Sequence, residues 1–356
     1  GFPAPAPARP HAGFVAATAA LEAARGAAAR RDAVGGAAAA GVEAHGVFTA
    51  AAVETAVSST GGVAVSDRVT DAFMKVACIA PDGRSGYAAA TGAAVGAIDA
   101  RALAERAARK ATASGAVAEL PPGEHVAVLE PHAVGELLEL LGAAAFNGLA
   151  HVEGRGALAG RLGTRVASPQ VNLSDSPRFP GTLPRAFDAE GVPKAPLALI
   201  QDGVAHRVVH DTRTAALAGT ASTGHALAPG GSPLGPRPTN LVLIGGGAAD
   251  EEELCAGVER GVYVTRLWYS NLVREREALV TAVTRDGTFL IEDGRVTRPL
   301  ANLRLTDSVL GLLSRVEALA ARPRLTSEGE FYGRRFATGV VCPALRARVR
   351  FSGAAD

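Results

Sequence analysis

Apolar residues in this chain fall into runs of two spacings. HAGFVAATAALEAARG keeps a helical spacing and predicts a helix that ends at Gly26, with the Pro/Ala-rich residues 1–13 as a loop before it. FMKVACIAPDGRSGYAAATG reads as strand, Asp-Gly turn, strand. In IDARALAERAARKATASG, Leu103, Ala107 and Ala111 recur at helical spacing and Asp99 stands where an N-cap belongs. PPGEHVAVLEP is a turn and a strand. HAVGELLELLG follows it, and Val134, Leu137, Leu138 and Leu141 mark it as an amphipathic helix.

Past about residue 152 the period shortens, and glycine and proline become frequent. RVASPQVNLSDSP predicts a strand and a turn, and APLALIQDGVAHRVVHD two strands about an Asp-Gly turn. TNLVLIGGG and RGVYVTRLWYS each read as a strand. EALVTAVTRDGTFLIEDGRVTRPL holds two Asp-Gly pairs between alternating runs, which predicts a meander with two turns. RLTDSVLGLLSRVEALA predicts an amphipathic helix capped by Thr306, and VVCPALRARVRF a closing strand with an edge or bulge at Pro343. The fold class expected is α+β. An N-terminal α/β domain spans residues 1–122, and a β-rich domain spans 123–356.

Composition narrows the function. Lysine and arginine number 36 against 35 aspartates and glutamates, for a net charge of +1, and aromatics are 4%. Neither a basic field nor a set of stacking platforms marks a nucleic-acid binder. No run of 18 apolar residues predicts a membrane span. Cys78, Cys255 and Cys342 are far apart, with no C-x-x-C pair, which argues against a disulfide framework or a zinc ribbon and fits a reducing, cytoplasmic setting.

Four stretches carry candidate chemistry. LVLIGGGAADEEEL imitates a dinucleotide-binding turn, but Asp250, Glu251, Glu252 and Glu253 crowd the helix start. They suit the helix dipole and repel a phosphate. TASTGHAL places Ser222, Thr223 and His225 in one glycine-bounded loop, suited to hydrogen-bonding a ligand or partner. A Ser222–His225 nucleophile and base is the sharper alternative. His206 and His210 share a face if HRVVHD is a strand, but at about 13 Å they are too far apart for one metal. Asp211 and Arg213 are expected to form a local ion pair. His132 and Glu136 share a helix face, yet a zinc site needs a third ligand, and none stands nearby.

Several stretches, taken in order, resemble the TldD/PmbA (modulator of DNA gyrase) family: DSPRFPGTLPRAFDAEGVPKAPLALIQDG, the STGHA loop, RPTNLVLIGGG, RGVYVTRLWYSN and GTFLIEDGRVTRPL. The stretches VAVSDRVTDAFMKVACIAPDGRSGYA and PPGEHVAVLEPHAVGELLELLG extend the likeness to about residues 15–352. It implies a curved, barrel-like mixed sheet in the C-terminal domain. It also implies that the N-terminal domain is incomplete, since family members carry a longer one ahead of this point. Ser222, Thr223, His225 and Asn240 become candidate substrate-binding residues.

The TldD branch of that family is a zinc metallopeptidase with a His-Glu-x-x-x-His helix and a late cysteine ligand. The TldE (PmbA) branch lacks them and acts as its companion in a heterodimer. Laid on this chain, the motif's first histidine, glutamate and second histidine fall on Glu139, Leu140 and Ala144. Cys342 lies later than the ligand cysteine. The resemblance therefore implies a TldE-type subunit with no catalytic residue and no metal or other cofactor of its own. A TldD-type partner would carry zinc and the general base, and the pair would cleave peptides in an enclosed cavity. The alternatives are a peptide-binding or regulatory protein without hydrolysis, and a stand-alone hydrolase using Ser222 and His225.

Overall fold

The computed structural model describes residues 19–327, 330–331, 334–335 and 338–355. The loop expected over residues 1–13 and the first residues of the expected N-terminal helix lie outside them. Helix α1 (Ala19–Ala39) runs through Gly26, where the sequence predicts its end. A Cβ at position 26 would stand 2.5 Å from the Phe48 ring, so this glycine admits a close neighbour and does not stop the helix. Phe48 belongs to β1 (Glu43–Ser58), which pairs antiparallel with β2 (Ala64–Ile79) from Glu43↔Ile79 to Ser58↔Ala64. No alternation announces β1, because most of its residues stay exposed on both faces. β3 (Ser85–Gly92) follows the predicted Asp82-Gly83 turn and forms the edge of this three-stranded sheet. On α2 (Ala100–Ala111), the Asp99 carboxylate accepts the Ala102 amide at 2.9 Å, and Leu103, Ala107 and Ala111 bury against Met74, Val76 and Cys78.

A larger body begins with β4 (Gly123–Leu129), α3 (Pro131–Ala144) and α4 (Gly148–Val152), then β5 (Leu173–Asp175), β6 (Leu197–Gln201) and β7 (Val204–Ala205). α5 (Thr212–Ala218), β8 (Leu241–Leu243), α6 (Glu251–Ala256), β9 (Arg260–Arg274), β10 (Leu279–Glu292), β11 (Arg295–Pro299) and β12 (Leu303–Ser308) come next. The chain continues through α7 (Val309–Ser314), β13 (Val316–Leu319), β14 (Arg324–Thr326), β15 (Glu330–Phe331), β16 (Arg334–Arg335), β17 (Val340–Cys342) and β18 (Leu345–Ala354). β10, β12, β18, β4 and β9 follow one another, and β9 pairs back onto β10, closing a mixed barrel-like sheet in which only β4 and β9 run parallel. A second sheet has the order β14-β17-β8-β5-β6-β7. The expected α+β fold with a curved, barrel-like sheet is the one observed. α3 lies between the two sheets, with Val134, Leu137, Leu138 and Leu141 all in the main core.

Five local expectations are overturned, the first three by long-range pairing. Asp286-Gly287 is not a turn. Both residues have positive φ, 54° and 122°, but β10 continues through them as a bulge, paired to β9 at Arg285↔Arg266 and Thr288↔Val264. Of the two Asp-Gly pairs, Asp293-Gly294 makes the turn. The helix expected to start at Thr306 is shorter. Thr306 sits in β12 opposite Thr281, Ser308 caps α7 by accepting the Gly311 amide, and Val316–Leu319 returns to strand. Pro343 separates two strands of different sheets: β17 runs parallel to β8, and β18 lies between β12 and β4. Finally, β7 ends at Ala205, so His206 and His210 are not on a strand. Asp211 caps α5 through a reciprocal box with Thr214, and makes no ion pair with Arg213 among the described residues.

Candidate functional site

Three features meet around α3. The first is the helix itself. Pro131 opens it, where a missing N–H costs nothing. His132 turns its Nε2 to the Ala89 carbonyl at 3.1 Å and stands edge-on to Tyr87, 5.7 Å between ring centroids. Burial pushes this imidazole below its ordinary value, so it is neutral and ties α3 to β3. A Cβ at Gly135 would fall 2.1 Å from Thr326 Oγ1, which shows how closely β14 lies against the helix. Further along, Glu139 is exposed, Leu140 is partly buried and Ala144 is fully buried. Leucine and alanine carry no donor atom, and Ala144 is enclosed by protein, so these positions do not fit a zinc ion and its water. Cys342 is fully buried and donates to the Pro131 carbonyl at 3.3 Å. That point is eight residues, or about 12 Å, up the helix from Glu139. Burial pushes its thiol far up, so it stays protonated and is no thiolate ligand. Among the described residues no group of three or more His, Cys, Asp or Glu side chains is placed to hold a metal ion.

The second feature is a buried polar joint. Asp175, at the end of β5, is 0% exposed. Its Oδ2 accepts the amides of Thr239 and Asn240 at 2.7 and 2.8 Å, and its Oδ1 stands 3.0 Å from Lys194 Nζ and 3.1 Å from His225 Nε2. Lys194 and His225 meet it as close charge and dipole, off the line of a well-directed hydrogen bond. Burial would raise the Asp175 carboxyl, but His225, Lys194 and the Asn240 amide outweigh it and hold it well below the usual carboxylate range. Burial pushes His225 down, so a neutral imidazole stands beside the Asp175 carboxylate and the Lys194 ammonium.

This joint locates the candidate binding residues. Thr223 and His225 are joined at 2.9 Å (Oγ1 to Nδ1), and Asn240 donates from Nδ2 to the Leu183 carbonyl at 2.7 Å and to Thr182 Oγ1 at 3.3 Å. Ser222 lies apart: its hydroxyl donates to the His210 carbonyl at 3.2 Å and accepts the Gly224 amide, and no hydrogen bond links it to His225. Asp188, in the FDAEGVP stretch, binds the amides of Glu190, Val192 and Ala226 and so fastens that stretch to the STGHA loop. Gly224 has φ +74°, and a Cβ there would lie 2.8 Å from the Pro193 carbonyl. Asp67 of β2 accepts the Ala186 amide at 2.8 Å, so the β1–β2 hairpin rests on the same joint. Sequence reading missed Asp175, Asp188 and Lys194. The signal was present in the turn-forming DAEG and in an aspartate closing a short strand, but nothing local links them.

The third feature is a cavity of about 460 Å³ between β3, α2 and the larger body. Small residues Ala88–Ala90, Gly92, Ala93 and Ala97 form one wall, and Arg106, Glu130, His132, Thr182 and Arg324 supply its polar groups. Thr182 places Asn240 one side chain behind the wall. Glu130 is buried, 2.6 Å from Lys110 Nζ, and accepts the Tyr263 hydroxyl at 2.7 Å. Burial would raise this carboxyl, but Lys110 and Tyr263 outweigh it and keep it low and ionised. Lys110 belongs to α2 and Tyr263 to β9, so the network bridges the two bodies.

Comparison with known proteins gives these features a context. A metalloprotease from Methanothermobacter thermautotrophicus is 29% identical over 206 residues, which is 58% of this chain and 44% of that protein. A TldD-homologue metalloprotease from Haemophilus influenzae is 26% identical over 172 residues, 47% of this chain and 34% of that one. The matched part thus spans less than half the length of these curated relatives. Among solved structures, a putative modulator of DNA gyrase from Thermotoga maritima superimposes with a TM-score of 0.82 at 20% identity, covering 98% of this chain and 79% of that one. TldE from Thermococcus kodakarensis does so at 0.80 and 21%, covering 99% and 79%. At such identities the structures speak to fold alone. Residues 122–353 match the family model described as the PmbA/TldA metallopeptidase C-terminal domain, and with well over half of its length so matched, the chain belongs to the PmbA/TldD metallopeptidase family.

Proposed function

We propose that this chain is the TldE-type, non-catalytic subunit of a TldD/TldE zinc peptidase. The observation that carries the reading is the identity of Glu139, Leu140 and Ala144 at the metal-helix positions. The burial of Ala144 and the protonated, enclosed Cys342 support it. A catalytic zinc needs several imidazole, thiolate or carboxylate ligands and a carboxylate to take a proton from its water. In this reading a TldD-type partner brings both, in the cytoplasm, and this chain contributes wall and dimer surface to the peptide cavity.

The test is co-expression with a family member that carries His-Glu-x-x-x-His. The expected result is a stable complex that holds zinc in the partner and cleaves peptides, while this chain alone holds no stoichiometric zinc and cleaves none. Zinc-dependent cleavage by this chain alone overturns the proposal. A second reading, peptide binding without hydrolysis, draws on the junction cavity, which this chain encloses by itself. Retained peptide binding with no metallopeptidase partner favours it. Ser222 hydrolysis has no geometric support, since that hydroxyl is engaged by His210 and Gly224.

A further inference from the structure

Arg106 lines the junction cavity, at its border with a neighbouring cleft that carries Asp250–Glu253, and makes no hydrogen bond or ion pair among the described residues. The other charges there are accounted for. Glu130 is neutralised by Lys110, and Arg324 stands 3.8 Å from Glu251. His132 is neutral. The cavity therefore has a surplus of positive charge centred on one planar, five-donor guanidinium, the group suited to bidentate recognition of a carboxylate.

Among the described residues, the facing wall is the unpaired edge of the β1-β2-β3 sheet. Lys75 of β2 turns its carbonyl toward β1, where a Cβ on Gly46 would meet it at 2.4 Å. Ala89, opposite Lys75, therefore points its own N–H and C=O away from β2, into the cavity. The carbonyls of Tyr87 and Ala89 agree with this, being taken by Lys110 at 3.2 Å and His132 at 3.1 Å. Alternation puts the Thr91 amide on the same side. The N–H groups of Ala89 and Thr91 thus line a wall whose side chains are mostly single methyl groups, low enough for another backbone to approach.

We propose that this cavity binds the end of an extended amide chain, the C-terminal residues of a short peptide, with its carboxylate on Arg106 and its backbone along β3. The proposal deepens the peptide-handling reading above, and rests on it for the choice of a peptide, but the binding belongs to this chain alone. The test is calorimetric titration of the full chain, without partner, with acetyl-trialanine as the free acid, the same peptide as its C-terminal amide, and acetate. The acid is expected to bind at least tenfold more tightly than the amide, and acetate without saturation. Arg106→Gln is expected to bring the acid down to the amide's affinity and leave the amide unchanged, while Arg106→Lys retains a preference for the acid. Because Arg106 makes no hydrogen bond or ion pair among the described residues, these variants should melt close to the wild type.

Equal affinity for acid and amide, an acid preference that survives Arg106→Gln, or no saturable binding of the acid overturns the proposal. Acetate binding as tightly as the peptide acid removes the role given to the strand edge. The two proposals fail separately. An active zinc complex with no acid preference sinks this one, and acid binding without any active complex sinks the other.

Discussion

Replacing Asp175 with asparagine tests the buried joint most directly. In the wild type the carboxylate is 0% exposed and meets four donors: the amides of Thr239 and Asn240, Lys194 Nζ and His225 Nε2. Asparagine keeps the shape but offers one acceptor oxygen. Its NH2 must face either the two amides or the ammonium, so donors oppose donors on one side. Lys194, whose side chain is 1% exposed, loses the carboxylate it touches. Breaking one member of a buried pair costs about 3–5 kcal/mol. For a chain of 356 residues that corresponds to a fall in Tm on the order of 4–7 °C. Thermal and urea unfolding followed by circular dichroism would measure it. Hydrogen exchange should rise over residues 220–227, because His225 and Asn240 lose their common anchor.

Adding Lys194→Met should recover part of the loss, since the stranded charge is then gone. The sign of the pH effect is fixed too. The folded-state carboxyl lies below its unfolded value of 3.8, so its contribution is present above about pH 4 and is lost as pH falls toward the folded value. The gap between wild type and variant should be flat near neutrality and shrink in acid. A loss under about 1 kcal/mol, or a double variant no better than the single one, would refute the reasoning.

Other expectations follow from the same geometry. Lys110→Met strands the buried Glu130 and should cost about 3–5 kcal/mol, whereas Tyr263→Phe removes one charged hydrogen bond and should cost about 1.5–3 kcal/mol. Denaturant titration of both variants checks the order. Gly135→Ala pushes a methyl to 2.1 Å from Thr326 Oγ1 and should cost about 1–3 kcal/mol, partly restored by Thr326→Ala. Rebuilding the motif as Glu139→His, Leu140→Glu and Ala144→His should produce no stoichiometric zinc by metal analysis. It should also lower the melting temperature, because position 144 has no room for an imidazole.

Several elements were legible residue by residue. α2 declared itself through Asp99 and three apolar positions at helical spacing, and α3 through Val134, Leu137, Leu138 and Leu141. In both, period and burial agree. The β2–β3 hairpin followed from Asp82-Gly83, where turn chemistry and strand pattern point the same way.

What could not be read were features whose meaning depends on a distant partner. Gly26 looks like a stop until Phe48 is found packed against it. Asp286-Gly287 asks for the same left-handed backbone in a turn or a bulge, and pairing with β9 on both sides selects the bulge. Thr223, His225 and Asn240 were singled out, but their anchor, Asp175, lies about 50–65 residues away and carries no local sign of its charge partners. Arg106 is an ordinary helical arginine in the sequence, and becomes a candidate ligand-binding group because β3, α3 and β14 enclose it. Local period, caps and side-chain identity act over a turn or two and can be read along the chain. Sheet register, close approach and burial of charge are set by segments far apart in sequence, and exist once the chain has folded.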